Sequence, residues 1–300
     1  MRLVTYTATE GPCAGVLVGS GAGIASAHEL ARGAGLAPEQ LHACRTVRGI
    51  LAEGAELLQA LSEAAERGHD EALPVSDVRL LAPIQAPEKI LCLGLNYREH
   101  TEETRLEQPP VPTVFAKFAN CLIGPADPIV LPDASSEIDY EAELAVVIGR
   151  ICRGVTPEAA LDHVAGAMAF NDVTARDVQF QTSQWTLGKA IDTFAPCGPS
   201  LVLLDEIENL QALSVQTRVN GDVVQSDTTG SMITSVADAI AQISQRITLT
   251  PGDIIATGTP AGVGYTRKPP LFLSDGDLVE IEIDGIGCLR NRVERRAGDR

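Results

Sequence analysis

Glu141 and Glu143 flank Ala142 inside a run, Tyr140 to Ile148, whose other residues are apolar. Such a run reads as a strand. Alternation of side chains then aims both carboxylates at one face and Ala142, Leu144, Val146 and Ile148 at the other. Two ionised carboxylates in an apolar setting are costly unless something compensates them. A hard divalent cation such as Mg2+ or Mn2+, which prefers oxygen ligands, does so. The plainer alternative is a strand whose polar end faces water.

Four other segments carry chemistry-bearing side chains. Ala167 to Asp172 is a second apolar run ending in a carboxylate, directly before helix-like residues Val173 to Gln179. Asp172 is placed to cap that helix. Arg176 and Gln179 follow at four and seven residues, so one helical stripe offers a carboxylate for a metal, a guanidinium for a substrate carboxylate and an amide for a neutral oxygen. His100 and Glu103, three apart on a short helix after Gly94, can hydrogen-bond. A carboxylate-fixed imidazole is a general base near neutral pH; the alternative is a solvated helix with an incidental His. Lys189 follows Trp185-Thr186-Leu187-Gly188, where an ammonium can hold a developing negative oxygen, and the neighbouring Leu187, Ala190 and Ile191 argue against a plain surface charge. From Asp253 a strand runs into a Gly-rich turn. It lacks the Lys-Ser/Thr of a P-loop, yet its backbone amides, Gly258 among them, and Thr259 can cradle an anionic oxygen.

The elements that must position these groups divide in two. Residues 1–82 read as a small N-terminal α/β domain. It has strands at Leu3 to Thr7 and Ala14 to Val18, a glycine-rich stretch at residues 19–23 that reads as the turn of those two strands, a long helix over Val47 to Arg67 and a strand at Val75 to Leu81. The glycines at 19, 21 and 23 are no dinucleotide fingerprint, because Ile24 takes the third glycine's place. Pro83 to Pro87 reads as a connector. Residues 88–295 are strand-rich, with tight hairpins at Asn220-Gly221 and Asp284-Gly285 and helices opening at Thr156-Pro157 and Ser235. The fold class is α+β and β-rich, without the regular alternation of a doubly wound sheet.

Composition narrows the partners. Three hundred residues with a formal net charge of −17 oppose nucleic-acid binding. Only four residues are Lys, at 89, 117, 189 and 268, so a Lys embedded in a structured stretch stands out. Seven Cys without a CxxC pair point to reduced thiols, and the absence of a membrane-length apolar run and of a signal pattern adds the expectation of a cytoplasmic protein with no membrane partner.

Together, Gly94-Leu95-Asn96-Tyr97 with His100, Glu141-Ala142-Glu143, Asn171-Asp172 with Thr174 to Asp177 and Gln179, Leu187-Gly188-Lys189, and Gly258-Thr259-Pro260 with Gly262-Val263-Gly264 resemble the fumarylacetoacetate hydrolase family over residues 88 to 293. The resemblance implies a mixed β-sandwich roll, a homodimer, and a Mg2+ or Mn2+ site of Glu141, Glu143 and Asp172. It implies a lid carrying His100 and Glu103, and substrate contacts from Lys189, Arg176, Gln179, Lys117, Thr259 and Gly258. Residues 1–82 look like the N-terminal domain of bacterial members. The Lys ending the Thr113 to Phe118 stretch is usually followed by Pro in that family; here Phe118 follows Lys117.

The expected partner is a small oxo acid. The reaction leaned towards is carbon–carbon hydrolysis of an acylpyruvate or fumarylpyruvate through a stabilised enolate, with His100 and Glu103 activating water. An oxaloacetate-type decarboxylase, an isomerase of unsaturated oxo diacids, and a non-catalytic carboxylate-binding protein are the alternatives.

Overall fold

The computed structural model describes residues 1–9, 11–67, 72–105 and 111–295. Its central element is the strand Ala142–Ile148, buried along its whole length. The alternation expected there is present: Ala142, Leu144, Val146 and Ile148 belong to one hydrophobic core, Ala145 and Val147 to another. On one side this strand pairs antiparallel with Val164–Asn171, on the other with Ile254–Ala256. Outward from Ile254–Ala256 come Ile90–Gly94, parallel to it, and then Thr113–Lys117.

In the opposite direction the sheet continues through Ala195–Leu203 into Arg2–Ala8, Gly11–Val18, Gly23–Ser26 and Leu73–Pro74. The N-terminal strands are thus hydrogen-bonded into the same 12-stranded sheet as the site-bearing strands. A separate 5-stranded sheet contains Asp222–Thr228, Ser214–Val219, Leu278–Ile283, Gly287–Glu294 and Ile129–Val130. Its Val215, Val219, Ile281, Ile283 and Leu289 share the first core with Leu144 and Val146. Leu30, Ile50, Leu57 and Leu61 from the N-terminal helices share the second with Met168, Phe170 and Ile254. The large sheet therefore lies between helices and a smaller sheet, an α+β, β-rich architecture in which both faces of the site-bearing strand are dry.

Local chemistry explains where elements start and stop. Asn220 (φ 53°) and Gly221 (φ 89°) make the left-handed pair that a two-residue hairpin requires. Ser235 accepts the Asp238 N–H and opens Val236–Ser244. Four expectations need correction. The helix over Val47 to Arg67 is two helices, Val47–Glu53 and Ala55–Glu66, broken at Gly54, whose φ of 92° and ψ of −160° no helix accommodates. The glycine-rich turn at 19–23 joins Gly11–Val18 to Gly23–Ser26, not the first two strands. Only Leu80–Leu81 of the stretch from Val75 is strand, Val75–Asp77 being a single helical turn after Pro74. Finally, Asp172 caps no helix. Thr174–Ala175 pairs with Ile138–Asp139 instead, so the helix shrinks to Arg176–Gln179 with Ala175 as its N-cap residue.

Candidate active site

Register places the carboxylates. Ala142 is paired with Asn171 and Glu143 with Phe170. Beyond the ladder's end the Asp172 N–H still donates to the Glu141 carbonyl (2.9 Å), and Asn171 Oδ1 accepts the Glu141 N–H (3.0 Å). These bonds hold Asp172 across from Glu141, so a strand ladder and not a helical stripe places it. Carboxylate oxygens of Glu141, Glu143 and Asp172 come within 4.8 Å of one another, all three side chains buried.

The triad is more heavily countered than its sequence context suggests, because it does have charge partners. Lys189 Nζ lies 2.8 Å from Glu141 Oε2 and 2.7 Å from Asp172 Oδ2. Lys117 Nζ donates to Asp172 Oδ1 (2.6 Å) and to the Val173 carbonyl (3.1 Å). Arg176 Nε donates to Asp139 Oδ2 (2.8 Å) and Nη1 to Gln179 Oε1 (3.0 Å), with the guanidinium 4.4 Å above the Tyr265 ring. Its Nη2 is 2.7 Å from Glu141 Oε1 but makes no aligned hydrogen bond, which leaves a buried donor unmet.

Four buried carboxylates, those of Asp139, Glu141, Glu143 and Asp172, thus face three buried cations, Lys117, Lys189 and Arg176. Asp139 is also satisfied by the N–H groups of Tyr140 (2.9 Å), Gly264 (2.7 Å) and Tyr265 (3.1 Å). For Glu141, burial alone would raise the pKa, but Lys189, Arg176 and His100 outweigh it and bring the value down to about 2. Glu143 goes the other way. Burial, then the charges of Asp172 and Glu141, push its carboxyl well above the usual 4.5. It is held through Oε2 by the Gly258 N–H (2.8 Å), and no charged group pairs with it among the described residues. An excess of hard oxygen ligands concentrated at one carboxylate is what a divalent cation such as Mg2+ or Mn2+ fits.

His100, on the helix Arg98–Thr104, is buried, and its Nδ1 lies 2.8 Å from Glu103 Oε1. Glu103 is fixed in turn by the Gly262 N–H (3.0 Å to Oε2) and the Thr266 hydroxyl (3.1 Å). An ionised Glu103 can only accept, so the proton sits on Nδ1 and Nε2 is the basic nitrogen. His100, Glu141, Glu143, Arg176, Gln179, Lys189 and Thr259 line one pocket of about 30 Å³, walled by Phe115, Phe180, Trp185 and Tyr265. Trp185 packs edge-on to Phe115 (5.4 Å between centroids) and lies so close to Gly94 that a Cβ there would meet it at 2.6 Å.

Two of the expected substrate contacts do not line this pocket: Lys117 and Gly258 sit behind it, holding Asp172 and Glu143. Phe118 in place of Pro leaves Lys117 buried against Asp172 all the same. Asp139 was missed by sequence reasoning, although carrying the alternation two residues back from Glu141 puts it on the same face. Gln225, whose amide bonds Thr259 and the Ala142 N–H, carries no motif to find it by.

Gly258 has φ +95°, and a Cβ on it would stand 2.7 Å from Asn96 Cβ. Gly258→Ala is therefore expected to lower stability by at least about 1 to 2 kcal/mol, the strain of a left-handed residue, and to weaken Mg2+ binding by moving the amide that holds Glu143. Thermal melting and a Mg2+ titration check this, and an unaltered Mg2+ affinity would detach Gly258 from the site.

The family model described as "Fumarylacetoacetate (FAA) hydrolase C-terminal" matches residues 89–294. The chain belongs to the fumarylacetoacetate hydrolase family. Within that family it is 41% identical over 297 residues to human oxaloacetate tautomerase FAHD2A, mitochondrial, covering 98% of this chain and 91% of that one. The similarity spans the N-terminal region, so that region is shared with a eukaryotic relative and does not mark a bacterial member. The fold is shared with a fumarylacetoacetate hydrolase from Exiguobacterium antarcticum (TM-score 0.83, 35% identity, 99% of this chain and 100% of that one). It is shared as well with the 5-carboxymethyl-2-hydroxymuconate delta-isomerase of Mycobacterium smegmatis (TM-score 0.76, 32% identity, 99% and 100%). One family scaffold thus carries proteins named for hydrolysis, isomerisation and tautomerisation. No helix among the described residues is long and apolar enough to cross a membrane.

Proposed function

We propose that this protein is a divalent-metal-dependent enzyme that shifts a proton beside the oxo group of a small 2-oxo diacid, an oxaloacetate-like keto–enol tautomerisation. The observation that carries this reading is the placement of His100, its Nδ1 tied to Glu103, in a pocket of about 30 Å³ shared with Glu141, Glu143 and Lys189. A pocket lined by Arg176, Lys189 and Gln179 suits a small anionic oxo acid. The similarity over nearly the full length to a protein named oxaloacetate tautomerase supports the same choice.

Glu141, Glu143 and Asp172 would hold the cation. When bound, it supplies Lewis-acid charge that gathers the oxygens of a 2-oxo acid and acidifies the adjacent carbon. His100 Nε2 takes the proton from that carbon, and Glu103 steadies the imidazolium that results. As the carbon–carbon double bond forms, the oxo oxygen becomes negative; the imidazolium gives its proton to that oxygen to complete the enol, and the reverse sequence turns enol into keto acid, with charge growing at the same oxygen. Lys189 has a third N–H beyond the two given to Glu141 and Asp172, and donates it there. Arg176 Nη2, unmet in the site, donates to a substrate carboxylate, and the Gln179 amide, its Oε1 occupied by Arg176, offers its N–H groups. Phe115, Phe180 and Trp185 form an aromatic wall beside the site where the enolate forms.

The second reading is hydrolysis of a carbon–carbon bond in an acylpyruvate, which the same His100–Glu103 pair favours because it can activate water as readily as it takes a proton from carbon. Assays of enol-to-keto conversion and decarboxylation of oxaloacetate, and of acylpyruvate cleavage, with Mg2+ and Mn2+, separate the two. Acceleration of the enol-to-keto step is expected. Acylpyruvate cleavage without that acceleration would replace the first reading by the second. We further propose a homodimer in a reducing compartment. All seven cysteines are free thiols, as suits cytoplasm or a mitochondrial matrix.

Arg176→Lys tests recognition. Lys lacks the planar fork, so turnover of the diacid is expected to weaken by roughly 1 to 3 kcal/mol, with Mg2+ affinity retained because Arg176 is not a ligand. Kinetics on the acid and its monoamide decide: equal losses on both would show that Arg176 does not read the carboxylate.

A further inference from the structure

Gln225 lies on the strand Asp222–Thr228 of the smaller sheet and is 1% exposed. Its amide makes four hydrogen bonds. Oε1 accepts the Ala142 N–H (3.0 Å) and the Thr217 hydroxyl (2.7 Å), while Nε2 donates to the Pro260 carbonyl (2.8 Å) and to Thr259 Oγ1 (2.9 Å). Two of those partners leave no freedom in how the amide is turned: a backbone N–H only donates and a carbonyl only accepts. The group facing Thr259 is therefore the NH2, and Thr259 must accept from it.

A hydroxyl that accepts on one side keeps its own proton for another direction. Among the described residues no protein group accepts that proton, and Thr259 lines the pocket beside Glu141, Glu143 and Lys189. The turn bearing Thr259 is pinned just before it, by the Thr257 hydroxyl on the Leu144 carbonyl (2.7 Å) and by the Gly258 N–H on Glu143 (2.8 Å), and just after it by the Gln225 amide on the Pro260 carbonyl. Rotation of the hydroxyl is the remaining freedom, and Gln225 removes it.

We propose that Gln225 is a positioning residue: by donating to Thr259 Oγ1 it turns the hydroxyl proton into the pocket, making Thr259 a standing donor to an oxygen of the bound acid. The same amide ties that donor to the metal-site strand, since its other end holds Ala142 between Glu141 and Glu143. Gln225 thus fixes the spacing between the hydroxyl and the carboxylate triad from a sheet that supplies none of the triad itself. The assignment rests on the reading of the pocket as an oxo-acid site.

A double-mutant cycle tests it, with Gln225→Met, which keeps side-chain length but cannot donate, and Thr259→Val, which removes the hydroxyl. The readouts are affinity for oxalate in the presence of Mg2+ by calorimetry, which needs no turnover, KM and kcat on oxaloacetate, and melting temperature. Gln225→Met is expected to weaken oxalate binding about three- to tenfold, the scale of one hydrogen bond, and to do so less than about twofold in the Thr259→Val background. Thr259→Ser, which keeps the hydroxyl, should restore the dependence on Gln225. The Ala142 N–H loses its acceptor in either background, so a fall in melting temperature should persist with Thr259→Val, smaller by the share of the bond to Thr259. Equal weakening of oxalate in both backgrounds overturns the proposal, as does a failure of the unaltered chain to bind oxalate. If oxaloacetate is turned over and the cycle is additive, positioning fails while the proposed function stands. A coupled cycle in a chain that turns over no oxo acid supports the positioning and removes the function.

Discussion

Glu143→Gln is expected to give a protein that melts no lower than its parent when both are metal-free, and that Mg2+ no longer stabilises or activates. Most changes at a buried charged site destabilise. Here, the carboxylate is the one without a cationic partner, and its pKa is raised by burial and by Asp172 and Glu141. The amide keeps the shape and can still accept the Gly258 N–H through its oxygen. With Mg2+ at about 100 times its dissociation constant, the parent should gain about 2.7 kcal/mol and the variant none.

A pH signature accompanies this. A carboxyl whose folded pKa is raised contributes stability that is fully present below its unfolded value, near 4.5, and lost as pH rises through the folded one. Metal-free parent should therefore lose stability on going from about pH 4.5 upwards relative to Glu143→Gln. Glu141, lowered to about 2, acts in the opposite sense and below that window, losing its contribution as pH falls from about 4.5 towards 2. Melting curves of both proteins with EDTA and with Mg2+, across this range, give the answer. A variant that Mg2+ stabilises as much as it stabilises the parent would remove Glu143 from the cation site.

His100→Ala is expected to slow the enol-to-keto conversion by about 100-fold or more, the scale of a general base, while leaving oxalate affinity in the presence of Mg2+ nearly intact. Nδ1 is anchored on Glu103, and Glu103 on Gly262 and Thr266, so the ring is held for proton transfer without carrying a share of the fold's core. Glu103→Gln should cost less, because an amide oxygen can still fix the ring but no longer steadies its charged form. If oxalate affinity falls by as large a factor as the rate, His100 serves binding and the base lies elsewhere.

The parts of this site that follow a local rule were legible in the residues. Period-two alternation put Glu141 and Glu143 on one face because a strand leaves no other choice, and three-residue spacing brought His100 to Glu103 on its helical turn. Legibility ended where partners come from distant chain. Asp172 was read as a helix cap on one stripe with Arg176 and Gln179; it is the antiparallel ladder with Ala142–Ile148 that carries it to Glu141, and Thr174–Ala175 goes on to pair with Ile138–Asp139, over 30 residues away, which no local pattern announces. Lys189 and Lys117, 17 and 55 residues from Asp172, cancel charge that seemed unpartnered in sequence. Gly54 broke a helix whose apolar spacing read as continuous, because backbone conformation at a single glycine overrode the periodicity on either side.

The strand Ala195–Leu203 has one consequence for how the molecule avoids its own kind. Along the flank away from Val164–Asn171, Ala195 and Pro196 pair with Leu122 and Ile123, while Leu201 and Val202 pair with Leu3 and Arg2. Without the first strand, the second half of that flank would be an exposed row of unpaired backbone donors and acceptors on an apolar ribbon, a template onto which another chain can add. The N-terminal strands move this vulnerable margin outward to Leu73–Pro74, only two residues long and ending in a proline that cannot donate. A segment without any of the expected catalytic motifs thereby guards the catalytic sheet against fibrous association.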